Sequence, residues 1–125
     1  MQLMDPKSPL FKIVDLQTGS EVTCVLELVA GHPILQGHFP GHPVVPGACI
    51  IRAIHEAVEQ ATGKKLFMSE ASQVKFLQPL VPHINTRTSL HLIIESLEDR
   101  SLKVSATLGR EEQVFTKFRA NFREA

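Results

Sequence analysis

Apolar and polar residues alternate along most of this chain, and a helical spacing interrupts the alternation at one place. Phe11 to Asp15 reads as a short strand closed by Thr18, Gly19 and Ser20. Val22, Cys24, Leu26 and Leu28 give a second strand, Glu21 to Val29, one apolar face. From Ala48 to Ala61 the period changes. Ile50, Ile51, Ile54, Ala57, Val58 and Ala61 recur at intervals of three and four, which predicts an amphipathic helix. Gly63, followed by Lys64 and Lys65, is placed to stop it. Met68 to Leu77 predicts another strand, broken by Gln78-Pro79-Leu80-Val81-Pro82. Three alternating sets follow: Thr88, Leu90, Leu92 and Ile94; Leu102, Val104, Ala106 and Leu108; Val114, Thr116, Phe118, Ala120 and Phe122. Asp99-Arg100 and Gly109-Arg110 fall where antiparallel hairpins should turn. Two strands, one long helix and four strands describe an α+β domain spanning residues 1–125, an antiparallel β-sheet packed on one α-helix. A sheet of this size leaves an edge to cover, so pairing with a second chain is expected.

Composition narrows the class. With 43% apolar and 21% charged residues, the 125-residue chain has the balance of a soluble globular protein with one core. Formal net charge is zero, so no global field draws it to nucleic acid or an anionic membrane. No apolar run reaches spanning length, and the opening residues lack the pattern of an export signal. Cys24 and Cys49 lack metal-ligand spacing and read as reduced thiols of a cytoplasmic protein. His32, His83 and His91 have no partner at metal-binding spacing, and the proline-bound loop keeps His38 and His42 apart, so no metal or cofactor is expected.

The chemistry concentrates in Gly37-His38-Phe39-Pro40-Gly41-His42-Pro43-Val44-Val45-Pro46-Gly47. Three prolines and three glycines exclude helix there and make a poor strand, leaving a rigid loop that runs into the helix. A histidine on such a loop, beside a helix N-terminus, suits a catalytic base next to an oxyanion site. The segment resembles the GHFPxxPxxPG signature of the β-hydroxyacyl-acyl-carrier-protein dehydratases of FabZ type, hotdog-fold enzymes of fatty-acid synthesis. Ser72-Gln73-Val74-Lys75-Phe76-Leu77-Gln78-Pro79-Leu80-Val81-Pro82 is similar to a second stretch of that family, so the likeness covers nearly the whole chain.

The resemblance implies a hotdog fold, with the sheet wrapped around the helix, and a 3-hydroxyacyl thioester losing water to give a trans-2-enoyl thioester. It implies that His38 works on the carbon beside the thioester carbonyl and that the Gly47 amide donates to the carbonyl oxygen. Phe39 either packs under His38 or lines the acyl tunnel. The carrier would be acyl carrier protein or coenzyme A, and the protein a homodimer or higher oligomer. The family places its acid, Glu or Asp, five residues beyond that glycine, on the other subunit's helix. Here that residue is Arg52, which is counted with Gly47 and Phe39 among the substrate-contacting positions. A guanidinium stays protonated and is a poor donor in turnover. A positioned acid is worth about a hundred- to ten-thousand-fold in rate, so its loss matters.

Glu56, one turn beyond Arg52 on the same helix face, is either a relocated acid or the partner of Arg52 in an ordinary ion pair. Three functions follow. The first is a dehydratase using His38 and Glu56. The second is a non-autonomous or inactive subunit needing an acid-bearing hotdog partner in a heterodimer, suited to aryl-polyene or polyketide-type lipid synthesis. The third is an acyl thioesterase or acyl-thioester-binding module using Glu56 or Glu59. His55 reads as an interface histidine and His42 as solvated. Lys64, Lys65 and Lys75 read as solvated cations that an acidic carrier could meet.

Overall fold

The computed structural model describes residues 9–29, 31–35, 44–82 and 84–125. His38, Phe39 and His42 lie outside the described residues, as does His83. Six strands and one long helix follow in the order β1 (Phe11–Gln17), β2 (Val22–Leu28), α1 (Gly47–Thr62), β3 (Leu66–Phe76), β4 (Arg87–Ser96), β5 (Ser101–Arg110) and β6 (Gln113–Glu124). A 3₁₀ turn at Pro33–Leu35 precedes the helix. The strands form one sheet in the order β1-β2-β4-β5-β6-β3, every neighbouring pair antiparallel.

The alternation translates directly into burial. Val22, Cys24, Leu26 and Leu28 are buried on β2, as are Leu102, Val104, Ala106 and Leu108 on β5. Phe118 and Phe122 from β6 meet Ile54, Ala57 and Val58 from the helix in one core cluster. Full burial of side chains of this size is worth about 1.5–3 kcal/mol each. Six strands about 4.8 Å apart would span some 24 Å if flat, twice the width of a helix. Yet α1 contacts β1 at one edge of the sheet and β3 at the other. The sheet must therefore curl around the helix, as the hotdog resemblance implies.

The helix stops at Gly63, whose φ of 70° is left-handed and whose N–H donates to the Glu59 carbonyl at 2.8 Å. Asp99 and Arg100 turn the β4–β5 hairpin with φ of 59° and 58°, the left-handed pair that matches strand twist. The expected turn at Gly109-Arg110 is displaced. The chain reverses at Glu111-Glu112, and Gly109 sits at a register shift inside the β5–β6 pair. A Cβ on Gly109 would lie 2.5 Å from the Gln113 carbonyl oxygen, so this glycine permits a bulge.

The two edges differ. β1 is short and irregular, with Asp15 at a φ of 54° where the register slips. β3 is longer and exposes Phe67, Met68, Val74 and Phe76, with Leu77 exposed just beyond it.

Candidate active site

Helix α1 begins without a side-chain cap, because its N-cap residue is Pro46. The Val45 N–H donates to the Leu80 carbonyl at 2.9 Å and ties the approach to the segment after β3. The Pro46 carbonyl accepts from the N–H groups of Cys49 (3.0 Å) and Ile50 (3.3 Å). The amides of Gly47 and Ala48 thus stand in the first turn, at the positive end of the helix dipole. Phe76 from β3 lies against Gly47 so closely that a Cβ there would sit 2.6 Å from its ring. The two border an apolar groove of about 250 Å³ with Val44, Pro46, Ile50 and Leu80.

Arg52 and Glu56 form a salt bridge, Nε to Oε1, of 3.2 Å. Arg52 is 56% exposed and Glu56 29%. They line a second, smaller cleft of about 40 Å³ with Cys49, His32 and Phe11. Burial pushes the Cys49 thiol up, and the Arg52 guanidinium pulls it down by less, so the net shift favours the protonated thiol. His32 is almost fully buried, and its Nδ1 accepts from the Ile34 N–H at 3.2 Å, which places the proton of a neutral ring on Nε2. Sequence spacing gave no reason to join His32 to Cys49, Arg52 and Glu56, since the 3₁₀ turn that seats it leaves no periodic signal.

The groove and the cleft open on different sides of α1. Five residues at about 100° each rotate a side chain by about 140°, and the groove and cleft linings share no residue. Arg52 and Glu56 thus line a different space from the one Gly47 borders.

His55 and Glu59 are committed elsewhere. His55 Nε2–H donates to the Leu66 carbonyl at 2.8 Å, and Glu59 Oε2 accepts from the Leu66 N–H at 2.9 Å. Together they hold both backbone polar groups of the first β3 residue, and the His55 ring meets Phe122 edge-on at 5.0 Å. Lys64 reaches Glu124 at 3.9 Å. Among the described residues, no three His, Cys, Asp or Glu side chains converge as metal ligands, and no helix is long and apolar enough to cross a membrane.

The wrapped helix and six-stranded antiparallel order define the hotdog fold, and known proteins sharpen the class. Residues 15–118 match the model of the ApeI-like family, described as ApeI dehydratase. The 3-hydroxyacyl-[acyl-carrier-protein] dehydratase FabZ of Levilactobacillus brevis is 28% identical over 125 aligned residues, covering 89% of this chain and 82% of the relative. FabZ of Syntrophobacter fumaroxidans is 30% identical over 111 residues, 82% of this chain and 74% of the relative. Among solved structures, the dehydratase heterocomplex ApeI:P from Xenorhabdus doucetiae superposes with a TM-score of 0.71 at 19% identity, over 91% of this chain and 98% of that one. The chain belongs to the ApeI-like dehydratase family.

Proposed function

We propose that this chain is the base-bearing half of a two-chain dehydratase acting on 3-hydroxyacyl thioesters. His38 removes a proton from the carbon beside the carbonyl, and the Gly47 amide donates to the oxygen on which the enolate charge develops. A carboxylic acid from a second hotdog subunit protonates the 3-hydroxyl, which departs as water and leaves a trans-2-enoyl thioester. Phe39 borders the acyl chain. The L. brevis and S. fumaroxidans relatives are named for substrates on acyl carrier protein, and the same carrier is assigned here.

The observation that carries this reading is the Arg52–Glu56 salt bridge in the place where the family keeps its acid. The Glu56 carboxylate accepts from Arg52 Nε through Oε1, so it is already engaged along its own helix. The opposite facing of groove and cleft supports a site shared between chains, and the exposed apolar edge β3 supports strand pairing as the means of bringing them together. The X. doucetiae structure is itself a dehydratase heterocomplex. The free thiols Cys24 and Cys49 suit a reducing cytoplasm.

A second reading keeps Glu56 as the acid in a homodimer. It is favoured by the place of Glu56 in a cleft with His32. The test follows enoyl-thioester absorbance from a short 3-hydroxyacyl thioester, with the chain alone and then co-purified with an acid-bearing hotdog subunit. Turnover only in the mixed complex, abolished by His38→Ala in this chain, is expected. Turnover by the chain alone that disappears in Glu56→Gln would overturn the two-chain reading in favour of the second.

A further inference from the structure

Among the described residues, the buried polar side chains are His32, Asn85, Thr88 and Thr116. All four lie in or next to one end of the sheet, where β2 and β3 finish and β4 and β6 begin. The N-terminus of α1 is tied to this end by the Phe76 ring on Gly47 and by the Val45–Leu80 hydrogen bond. At the far end the buried positions are apolar: Val22, Leu66, Leu92, Leu102 and Phe122. His32 accepts from the Ile34 N–H, and Asn85 Oδ1 accepts from the Val81 N–H at 2.9 Å. The Oγ1 atoms of Thr88 and Thr116 are buried with no hydrogen-bond partner among the described residues. A hydroxyl withdrawn from water and left unpaired opposes folding, and a valine would fill much the same space without that cost.

The two threonines differ in what lies beside them. Thr88 stands opposite Leu26 on β2, and β5 separates its strand from β6. Thr116 stands directly opposite Phe76, a pairing that sets the two Cβ atoms about 5 Å apart on one face. Phe76 in turn lies on Gly47 and is 50% exposed, so its ring runs from Thr116 to the groove with room to turn outward. A bulge sets up this placement. Thr116 pairs with Leu108 and Val114 with Gly109, so Phe115 is the extra residue, and Phe115 and Thr116 are buried in succession. The Phe115 carbonyl accepts from the Leu77 N–H at 2.7 Å, which fixes the end of the strand that carries Phe76.

We propose that Thr116 is a specificity-determining residue of the Gly47 groove. Its hydroxyl, uncovered when the Phe76 ring turns outward, hydrogen-bonds a hydroxyl carried by the acyl chain beyond the reacting carbons. The preferred substrates are then oxygen-bearing acyl thioesters, not plain alkyl ones. This rests on the proposed acyl thioester site beside Gly47 and deepens it. An apolar groove alone disfavours a hydroxylated chain, because the added group loses its water; a buried unpaired hydroxyl reverses that preference.

The test measures binding of unreactive ligands by isothermal titration calorimetry, so it needs no turnover. Two series of acyl pantetheine amides are compared, one ending in a hydroxyl and the other in a methyl group, with chain length varied. Each is titrated into the chain alone and into its complex with an acid-bearing hotdog subunit. At the best length the hydroxylated ligand is expected to bind about tenfold or more tightly than its methyl-ended counterpart. Thr116→Val should remove this preference and Thr116→Ser should keep it. Thr88→Val, which removes the other unpaired hydroxyl, should leave it within about twofold. Circular dichroism and thermal melts confirm that the variants are folded. Tighter binding of the methyl-ended ligand at every length, which the wild type alone can show, would overturn the proposal. So would an unchanged preference in Thr116→Val, an equal loss in Thr88→Val, or no binding of either series. The expected preference with no dehydration in any assembly would strike the proposed reaction and leave the role of Thr116 standing.

Discussion

Along one side of α1, Gly47 and Ile50 face an apolar groove closed by Phe76, whereas along the other Arg52 and Glu56 hold a charged pair beside the buried His32. The first side offers backbone donors at a helix N-terminus with a glycine that lets an aromatic ring approach. The second offers side-chain charge, half exposed. The rotation between them, about 140°, is a property of helical geometry and not of these residues. It teaches that residues five apart on one helix line different spaces, which suits the proposed site shared between chains. When one chain's acid becomes an arginine, only the site served by that helix loses its proton donor. The site served by its loop and Gly47 can remain whole if the partner supplies the acid.

The comparison breaks first at the sheet edge. If β3 joins the two chains, Val74→Lys places a charge in the seam without touching the core. Sedimentation is expected to move from dimer to monomer at micromolar concentration, and dehydration by the mixed complex to fall in proportion. A dimer that persists with full turnover would place the interface elsewhere.

A second change separates structure from chemistry on the helix. Glu59→Ala removes the acceptor of the Leu66 N–H beside His55, and a loss of about 1–3 kcal/mol in denaturant unfolding is expected. The variant should keep its turnover per folded complex. The smallest effect is expected at the second pair. Glu56→Gln breaks an exposed i,i+4 bridge worth about 0.3–0.5 kcal/mol, so the unfolding midpoint should barely move. In the mixed complex, rate should be unchanged.

The fold was legible wherever one face of an element is buried. β2, β5 and β6 carry their core residues at every second position, and α1 carries Ile50, Ile54, Ala57 and Val58 at helical spacing, so period and burial agree. β3 was legible as a strand but not as the edge: its residues are exposed on both faces, and alternation does not say what lies beside a strand. Gly109 misled because a glycine that admits a bulge and one that makes a turn look alike. Of the site, Gly47 and Arg52 could be counted from the loop, and the Arg52–Glu56 pair follows from i,i+4 spacing. His32 and Phe76 could not, because an irregular segment and a strand some thirty residues past Gly47 bring them in.

The most direct measurement is made on the chain alone with Arg52→Glu/Glu56→Gln, which puts a carboxylate back at the family position and removes the charge that would oppose it. Formation of the conjugated enoyl thioester is followed against the wild-type chain. The account predicts no turnover by the wild type and a gain of about a hundredfold or more over background in the double variant. Equal turnover by the two, or a wild type faster than the variant, would contradict the claim that this chain lacks its own acid.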